Sequence, residues 1–255
     1  MFATDPAGRG IALPGARHSG TMAGIQSAQE GDLTRFSTDC AQCPRLARHL
    51  ESVRAVHPGY HARPVPAFGD PDAKLLIVGL APGLHGANRT GRPFTGDYAG
   101  VLLYRVLHQF GFATHPESVD RDDGLRLPGC RITNAVKCLP PANKPVPEEV
   151  RTCNPYLQHE LQTLPPAPVI LALGTIAHSA VIRASGLRQA AYPFSHGARH
   201  DLPAGGWLLD SYHCSRYNTQ TRRLTAAMFE QVVEEAASLL GTGPSAARSA
   251  RREDR

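Results

Sequence analysis

The chain has 255 residues, 42% of them hydrophobic, and its 27 Lys and Arg against 22 Asp and Glu give a net charge of +5. This length and composition suit one α/β domain with a substantial core. The sequence has no run of 18 apolar residues and no N-terminal signal peptide, so we expect a cytoplasmic protein with no membrane contact. The excess of basic over acidic residues favours a polyanionic partner but does not indicate which kind.

The two ends of the chain lack apolar periodicity. Residues 1 to 30 are rich in Gly, Ala and Pro, and residues 242 to 255 form a basic tail. Segments of this composition rarely bury enough apolar surface to fold. We therefore predict disorder in both, and one folded domain over residues 31 to 241.

Between the ends, apolar runs alternate with helical patterns. Strands are predicted at residues 73 to 80, 131 to 137, 169 to 173 and 207 to 212. Helices are predicted at residues 98 to 110, after Pro147 with a break near Pro155, at residues 175 to 185 and at residues 221 to 240. This alternation predicts an α/β fold with a mainly parallel four-stranded sheet covered on both faces.

Three predicted strands run into polar or Gly-rich segments at their carboxyl ends. These segments are the Gly-rich loop at residues 79 to 100, the chain from Asn134 onward, and His213. Ligands of such sheets bind beyond the carboxyl ends of the strands. The three segments therefore predict one shared site.

The cysteines form a split set. Cys40 and Cys43 are spaced Cys-x-x-Cys, and Cys138 and Cys153 follow far along the chain. Four thiolates suit either a structural zinc ion or an iron-sulfur cluster, and this spacing matches neither a compact zinc finger nor a ferredoxin run. Two further cysteines are predicted to be ordinary buried or half-buried thiols: Cys130 and Cys214.

Four segments together resemble the iron-sulfur uracil-DNA glycosylases, specifically the family 5 branch. They are Cys-x-x-Cys with Pro-Arg-Leu at residues 40 to 46, GLAPGLHGANRTGRPFTGD at 79 to 97, ITNAVKCLPPANKPVPEEVRTC at 132 to 153, and SYHCSRYNTQTRRLT at 211 to 225. The resemblance implies a three-layer α/β/α glycosylase fold. It also implies a [4Fe-4S] cluster on Cys40, Cys43, Cys138 and Cys153, with a structural role.

The implied activity is hydrolysis of the bond between uracil and deoxyribose in DNA. Such an enzyme flips the base out of the duplex into a pocket. No lysine stands at an obvious nucleophile position, so we expect a monofunctional glycosylase that leaves an abasic site. We also expect the protein to be a monomer. Hypoxanthine and modified cytosines are further expected substrates. The alternative is a metal-bearing nucleic-acid binding module without catalysis; a mononucleotide-binding enzyme is disfavoured because neither phosphate-loop motif occurs at residues 79 to 100.

Residue roles follow from this chemistry. Phe94 is predicted to stack on the base, and Asn134 to read its edge. His213 is predicted to stabilise the departing base, and Asn143 to recognise the base or position water, although either Asn can instead tie down its own loop. The bare backbone of the first loop is predicted to approach the nucleotide closely at Gly79, Ala81 and Gly83.

The assignment of the water-activating residue depends on a position where this chain departs from the family 4 pattern. Family 4 enzymes carry an acid after the first glycine of this loop, whereas this chain has Leu80. We assign water activation or oxocarbenium stabilisation to Asp97. The same side chain is also predicted to cap the helix that begins at Tyr98.

DNA contacts are predicted on both sides of the pocket. Arg89 is assigned either to phosphates or to its own loop, as is Arg92. Residues 215 to 223 are predicted to enter the minor groove, with contacts from Ser215, Arg216, Arg222 and Arg223. A solvated helix start is the alternative for the last two arginines.

Overall fold

The computed structural model describes residues 36 to 242. The segment 1 to 30 and all but the first residue of the segment 242 to 255, both predicted to be disordered, lie outside this range. No helix in the described range is long and apolar enough to cross a membrane.

The described residues form seven α-helices and six strands. The helices are Pro44–Val56 (α1), Ala87–Thr90 (α2), Tyr98–Gln109 (α3), Pro147–Gln162 (α4), Thr175–Ala184 (α5), Arg216–Gln220 (α6) and Ala226–Leu239 (α7). The strands are Phe68–Gly69 (β1), Leu75–Gly79 (β2), Cys130–Asn134 (β3), Val169–Leu173 (β4), Arg199–Asp201 (β5) and Trp207–Ser211 (β6).

The strands form one sheet in the order β1-β3-β2-β4-β6-β5. The four central strands are parallel and are the four predicted ones. Two short antiparallel strands, β1 and β5, extend the sheet at its ends, so the predicted strand number of four is corrected to six. Strands of two and three residues carry too little apolar pattern to be read from sequence.

Two hydrophobic layers cover the sheet. Alternate residues of β2 divide between them: Leu75 and Ile77 pack toward α3 and α7, while Leu76 and Val78 pack toward α4 and α5. This alternation follows from the two-residue period of a strand. The three-layer α/β/α arrangement is thus confirmed.

Two predicted helix boundaries are wrong. α4 continues through Pro155, because the proline lies on the exposed side of the helix, where solvent can reach the carbonyl left without a partner. The last helix begins at Ala226, not at residue 221. Thr225 is its N-cap and accepts from the Met228 amide at 3.2 Å, while Arg222 has a left-handed φ of 57° that ends the preceding turn.

Helix α1 was not predicted. Its apolar residues Leu46, Leu50 and Val53 recur at helical spacing and pack against Val136 and Leu139, which follow β3. The bidentate pair between Arg45 and Glu149, with both N···O distances 2.7 Å, also links α1 to α4. These contacts fix α1, which directly follows Cys43, to α4 and to the chain after β3.

Candidate active site

A pocket of about 360 Å³ opens at the carboxyl ends of the central strands. Its wall combines the Gly-rich loop after β2, the end of β3, the segment after β6 and the turn at Pro141–Asn143. It is lined by Leu80, Ala81, Gly83, Ala87, Phe94, Asp97, Ala99, Asn134, Asn143, His213 and Ser215. The structure therefore brings together, in one pocket, the three segments that were predicted to share a site.

Two glycines permit close packing inside this wall. A Cβ on Gly79 would lie 2.4 Å from Asn134 Oδ1 and 2.7 Å from the Phe94 ring. A Cβ on Gly86 would lie 2.4 Å from Asp97 Oδ2. Because glycine has no side chain, these two positions leave room for the Asp97 carboxylate, the Asn134 amide and the Phe94 ring.

We expect Gly86→Ala to lower the rate of the reaction at this pocket about 10- to 100-fold, because the new methyl group displaces the Asp97 carboxylate. The measurement is the single-turnover rate of that reaction. Gly59→Ala is the control, since a Cβ at Gly59 meets nothing within 4 Å. Equal rates for the two variants would contradict the packing argument.

Asp97 caps helix α3 and also lines the pocket. Its Oδ1 accepts from the Gly100 amide at 2.9 Å, which confirms the predicted N-cap of α3. Its Oδ2 faces the Gly-rich loop. Burial raises the pKa of Asp97, and the amide hydrogen bonds oppose that rise. A partly desolvated carboxylate of this kind is a better proton acceptor than an ordinary surface aspartate.

Phe94 and His213 lie side by side in the pocket, with ring centroids 5.8 Å apart and planes inclined by 28°. Phe94 is buried and has a left-handed φ of 54°, a strained conformation for a bulky residue. Burial lowers the pKa of His213 to about 4, so the ring is neutral at physiological pH. A neutral imidazole can donate one hydrogen bond into the pocket.

The two pocket asparagines differ in setting. Asn134 is buried, and its Oδ1 has no hydrogen-bond partner among the described residues. Leaving a buried acceptor unpaired costs about 1–3 kcal/mol, so this atom is suited to a donor from a ligand. Asn143 is exposed at the rim, in a turn where Ala142 and Asn143 both have left-handed φ values.

The arginines lie outside the pocket. Arg89 donates to the His85 carbonyl at 2.9 Å and to the Val119 carbonyl at 3.3 Å, and its Nη1 lies 3.7 Å from Asp120 Oδ2. Arg92 is buried and bonded to Thr95, Ser118, Asp123 and the Arg121 carbonyl. These contacts favour the loop-holding alternative for both.

Three exposed arginines lie on or just after α6, the helix that follows the pocket-lining Ser215. Arg216 lies over the Tyr98 ring at 5.3 Å and Arg223 over the Tyr212 ring at 4.6 Å, while Arg222 occupies the exposed turn after α6. Ser215 caps α6 and lines the pocket. These positions are compatible with phosphate contacts.

The four cysteines of the split set line a second cavity on the α1 side of the molecule: Cys40, Cys43, Cys138 and Cys153. All four are free thiols, and Cys130 and Cys214 are buried elsewhere as predicted. The sulfurs around a tetrahedral zinc ion, at Zn–S about 2.3 Å, stand about 3.8 Å apart. Among residues 36 to 242, only His178, His200 and Asp210 place three or more metal-ligand atoms within 4.8 Å of one another. No three of the four cysteine sulfurs meet that spacing, and four free thiols around one cavity are a donor set for either zinc or an iron-sulfur cluster.

The His178 cluster is satisfied without a metal. His178 Nδ1 lies 2.7 Å from Asp210 Oδ1 and its Nε2 lies 2.8 Å from the Tyr192 carbonyl, so both nitrogens face acceptors and both must donate. Burial alone lowers the pKa of His178, but the hydrogen bond and charge of Asp210 outweigh it and raise the pKa overall. The cluster is a buried ion pair that joins α5 to β6.

Two residues of this region were missed from sequence. Asn218 donates from Nδ2 to the His213 carbonyl at 2.8 Å and so fixes the segment that carries the imidazole. Tyr217 is 71% exposed and lies on α6, two positions after the pocket-lining Ser215. An aromatic residue inside the polar stretch SRYNTQ was the available signal for Tyr217, whereas Asn218 gave none.

Comparisons with known proteins agree on one family. The sequence model of the Uracil DNA glycosylase superfamily matches residues 66 to 237. A Type-5 uracil-DNA glycosylase from Thermus thermophilus is 54% identical over 209 residues, covering 80% of this chain and 95% of that protein. Proteins of the same name from Mycobacterium tuberculosis and Pyrobaculum aerophilum are 43% and 41% identical, each over 82% of this chain and over 81% and 93% of their own lengths.

Proposed function

This chain belongs to the uracil-DNA glycosylase superfamily, and we propose that it hydrolyses the glycosidic bond of uracil in DNA and leaves an abasic site. The observation that carries the proposal is the pocket itself. It gathers a carboxylate, a neutral imidazole, an unpaired amide oxygen and an aromatic ring at the carboxyl edge of the sheet: Asp97, His213, Asn134 and Phe94.

Asn134 selects the base. Its unpaired Oδ1 accepts a hydrogen bond from the N3–H of uracil. Cytosine carries a lone pair at N3 instead, which would face the amide oxygen and leave both acceptors unpaired. A buried polar mismatch of this kind gives strong discrimination. Phe94 supplies the apolar surface on which the flat ring lies.

His213 and Asp97 divide the chemistry. As the C1′–N1 bond breaks, negative charge develops on the uracil ring, and the His213 N–H stabilises it at the base oxygen. Asp97 accepts a proton from the water whose oxygen bonds to C1′, and its negative charge stabilises the cationic sugar. We assign Asn143, which lines the pocket, to orienting this water or contacting the base.

Among residues 36 to 242, no amine lines the pocket for a covalent route. The lysines of the chain are Lys74, Lys137 and Lys144, and none lines the pocket. Lys137 is fully buried and paired with Glu160 at 2.8 Å. The residues present therefore support hydrolysis without strand cleavage.

The split cysteine set suits a [4Fe-4S] cluster. Four cysteines that line one cavity supply the four thiolates that such a cluster needs. The bound group would tie the segment before α1 to α4 and to the chain after β3. Metal analysis tests this proposal: iron at about four atoms per chain supports it, and zinc would overturn it.

Tyr217 is proposed to fill the gap that a flipped base leaves in the duplex. Its side chain is 71% exposed, on α6 between the exposed Arg216 and the turn with Arg222, and α6 begins directly after the pocket-lining Ser215. An aromatic side chain there can stack between neighbouring bases while the arginines contact phosphates.

We therefore expect Tyr217→Ala to slow uracil release from duplex DNA about tenfold and from single strands much less, because only the duplex must be held open. Paired rate measurements on the two substrates test this. Val101→Ala, an exposed substitution on α3, is the control. Equal slowing on both substrates would refute a wedge role.

One assay tests the function as a whole. The purified chain is incubated with a labelled duplex carrying a single U opposite G and then treated with alkali. Strand breakage only after alkali supports the proposal, whereas tight binding with intact strands would support the non-catalytic module. Parallel duplexes with hypoxanthine or ethenocytosine test the proposed wider base range.

A further inference from the structure

A tyrosine hydroxyl points at one of the four cysteines. Tyr156 lies on α4, one turn after Cys153, and its hydroxyl donates to Cys40 Sγ at 3.3 Å. The ring is buried, with 5% of its surface exposed. This contact joins α4 to the segment before α1, so it spans the cavity that the cysteines share.

A second hydrogen bond fixes the direction of this hydroxyl. Gln42 Nε2 donates to the Tyr156 oxygen at 3.0 Å. A phenol has one hydrogen, and an oxygen that accepts from Gln42 keeps that hydrogen for another partner. The available acceptor is Cys40 Sγ.

We propose that Tyr156 is a positioning residue for the cluster: its O–H, oriented by Gln42, stabilises the Cys40 thiolate and raises the reduction potential of the bound group. The inference rests on the cluster proposed above. Hydrogen bonds to cluster sulfurs favour the reduced form, because reduction adds negative charge that the donor stabilises.

The sulfurs of Cys153 and Cys40 accept hydrogen bonds from different kinds of donor. Cys153 accepts from the Lys137 backbone amide at 3.3 Å, a donor that no side-chain substitution removes. The Cys40 bond comes from a side chain and can be deleted. A purely structural role for Tyr156 is the competing explanation, since Phe36 packs edge-on against its ring with centroids 5.8 Å apart. Phenylalanine would keep that packing and lose only the donor.

The test compares the reduction potential of the iron-loaded full chain with that of Tyr156→Phe, by voltammetry in the absence of DNA. We expect equal iron content, equal absorbance near 400 nm and a more negative potential in the variant. Gln42→Leu should shift the potential in the same direction by less, because the phenol keeps its hydrogen but loses its orientation. Tyr192→Phe, a hydroxyl remote from the cysteines, is the control and should not shift it.

A further variant covers the case in which Tyr156→Phe does not load iron. Fluorotyrosine at position 156 keeps the hydroxyl, makes it a stronger donor and should move the potential in the positive direction. Unchanged potentials in iron-replete variants would overturn the role of Tyr156 alone. Wild-type protein without iron would overturn the cluster proposal first, so the two failures are distinguishable.

Discussion

Replacing Asp97 with asparagine is expected to slow uracil release by about two to four orders of magnitude under single-turnover conditions. Asparagine preserves the shape of the side chain but removes both the proton acceptor and the negative charge beside the sugar. It also preserves the N-cap of α3, because Asn caps helices as well as Asp does. The loss can therefore be attributed to chemistry and not to a frayed helix.

Stability and pH give two independent checks on the same variant. The pKa of Asp97 is raised by burial, so the folded state binds its proton more tightly than the unfolded state does. Ionised Asp97 thus costs stability at neutral pH, and Asp97→Asn should unfold at an equal or higher temperature than wild type. The wild-type rate should fall as pH drops through this raised pKa, and the variant should lack that fall. A near-normal rate would refute the assignment.

Replacing His213 with alanine is expected to slow release by about two to three orders of magnitude, because the base then leaves without its hydrogen-bond donor. The pKa of about 4 places the loss of the neutral ring well below physiological pH. The wild-type rate should accordingly show no inflection near the ordinary histidine pKa. An inflection there that persists in Asp97→Asn would mean that the charged ring acts.

The leaving group offers a sharper test of His213. 5-Fluorouracil departs as a more stable anion than uracil and depends less on stabilisation by the enzyme. The slowing caused by His213→Ala should therefore be smaller for 5-fluorouracil in DNA than for uracil. His213→Asn, which keeps a donor, should recover part of the rate. Equal slowing with both bases would show that His213 acts by position alone.

Sequence patterns predicted the centre of the fold better than its periphery. The runs at residues 75 to 79 and 169 to 173 are apolar throughout because these strands are buried on both faces, and that pattern identifies a parallel sheet. The ends of the sheet and the start of the last helix depend on tertiary contacts and on the left-handed turn at Arg222. Such features leave little local signal.

The same division holds for the site. Phe94, Asp97, Asn134 and His213 could be placed together because each follows or lies beside the carboxyl end of a strand. The support around them could not, since Gln42 and Tyr156 are separated by 114 residues and Asn218 contacts a backbone carbonyl. The roles of Phe94, Asp97, Asn134 and His213 in the reaction stay predictions until the variants are measured.

The short strands at the two ends of the sheet bear on how the protein behaves in concentrated solution. An open sheet exposes unpaired amides and carbonyls along its outermost strands, and long flat edges recruit strands from neighbouring molecules. Here the outermost strands have only two and three residues and run against the direction of the central four. They offer little template for intermolecular pairing. A purified sample should therefore resist fibril formation on prolonged storage.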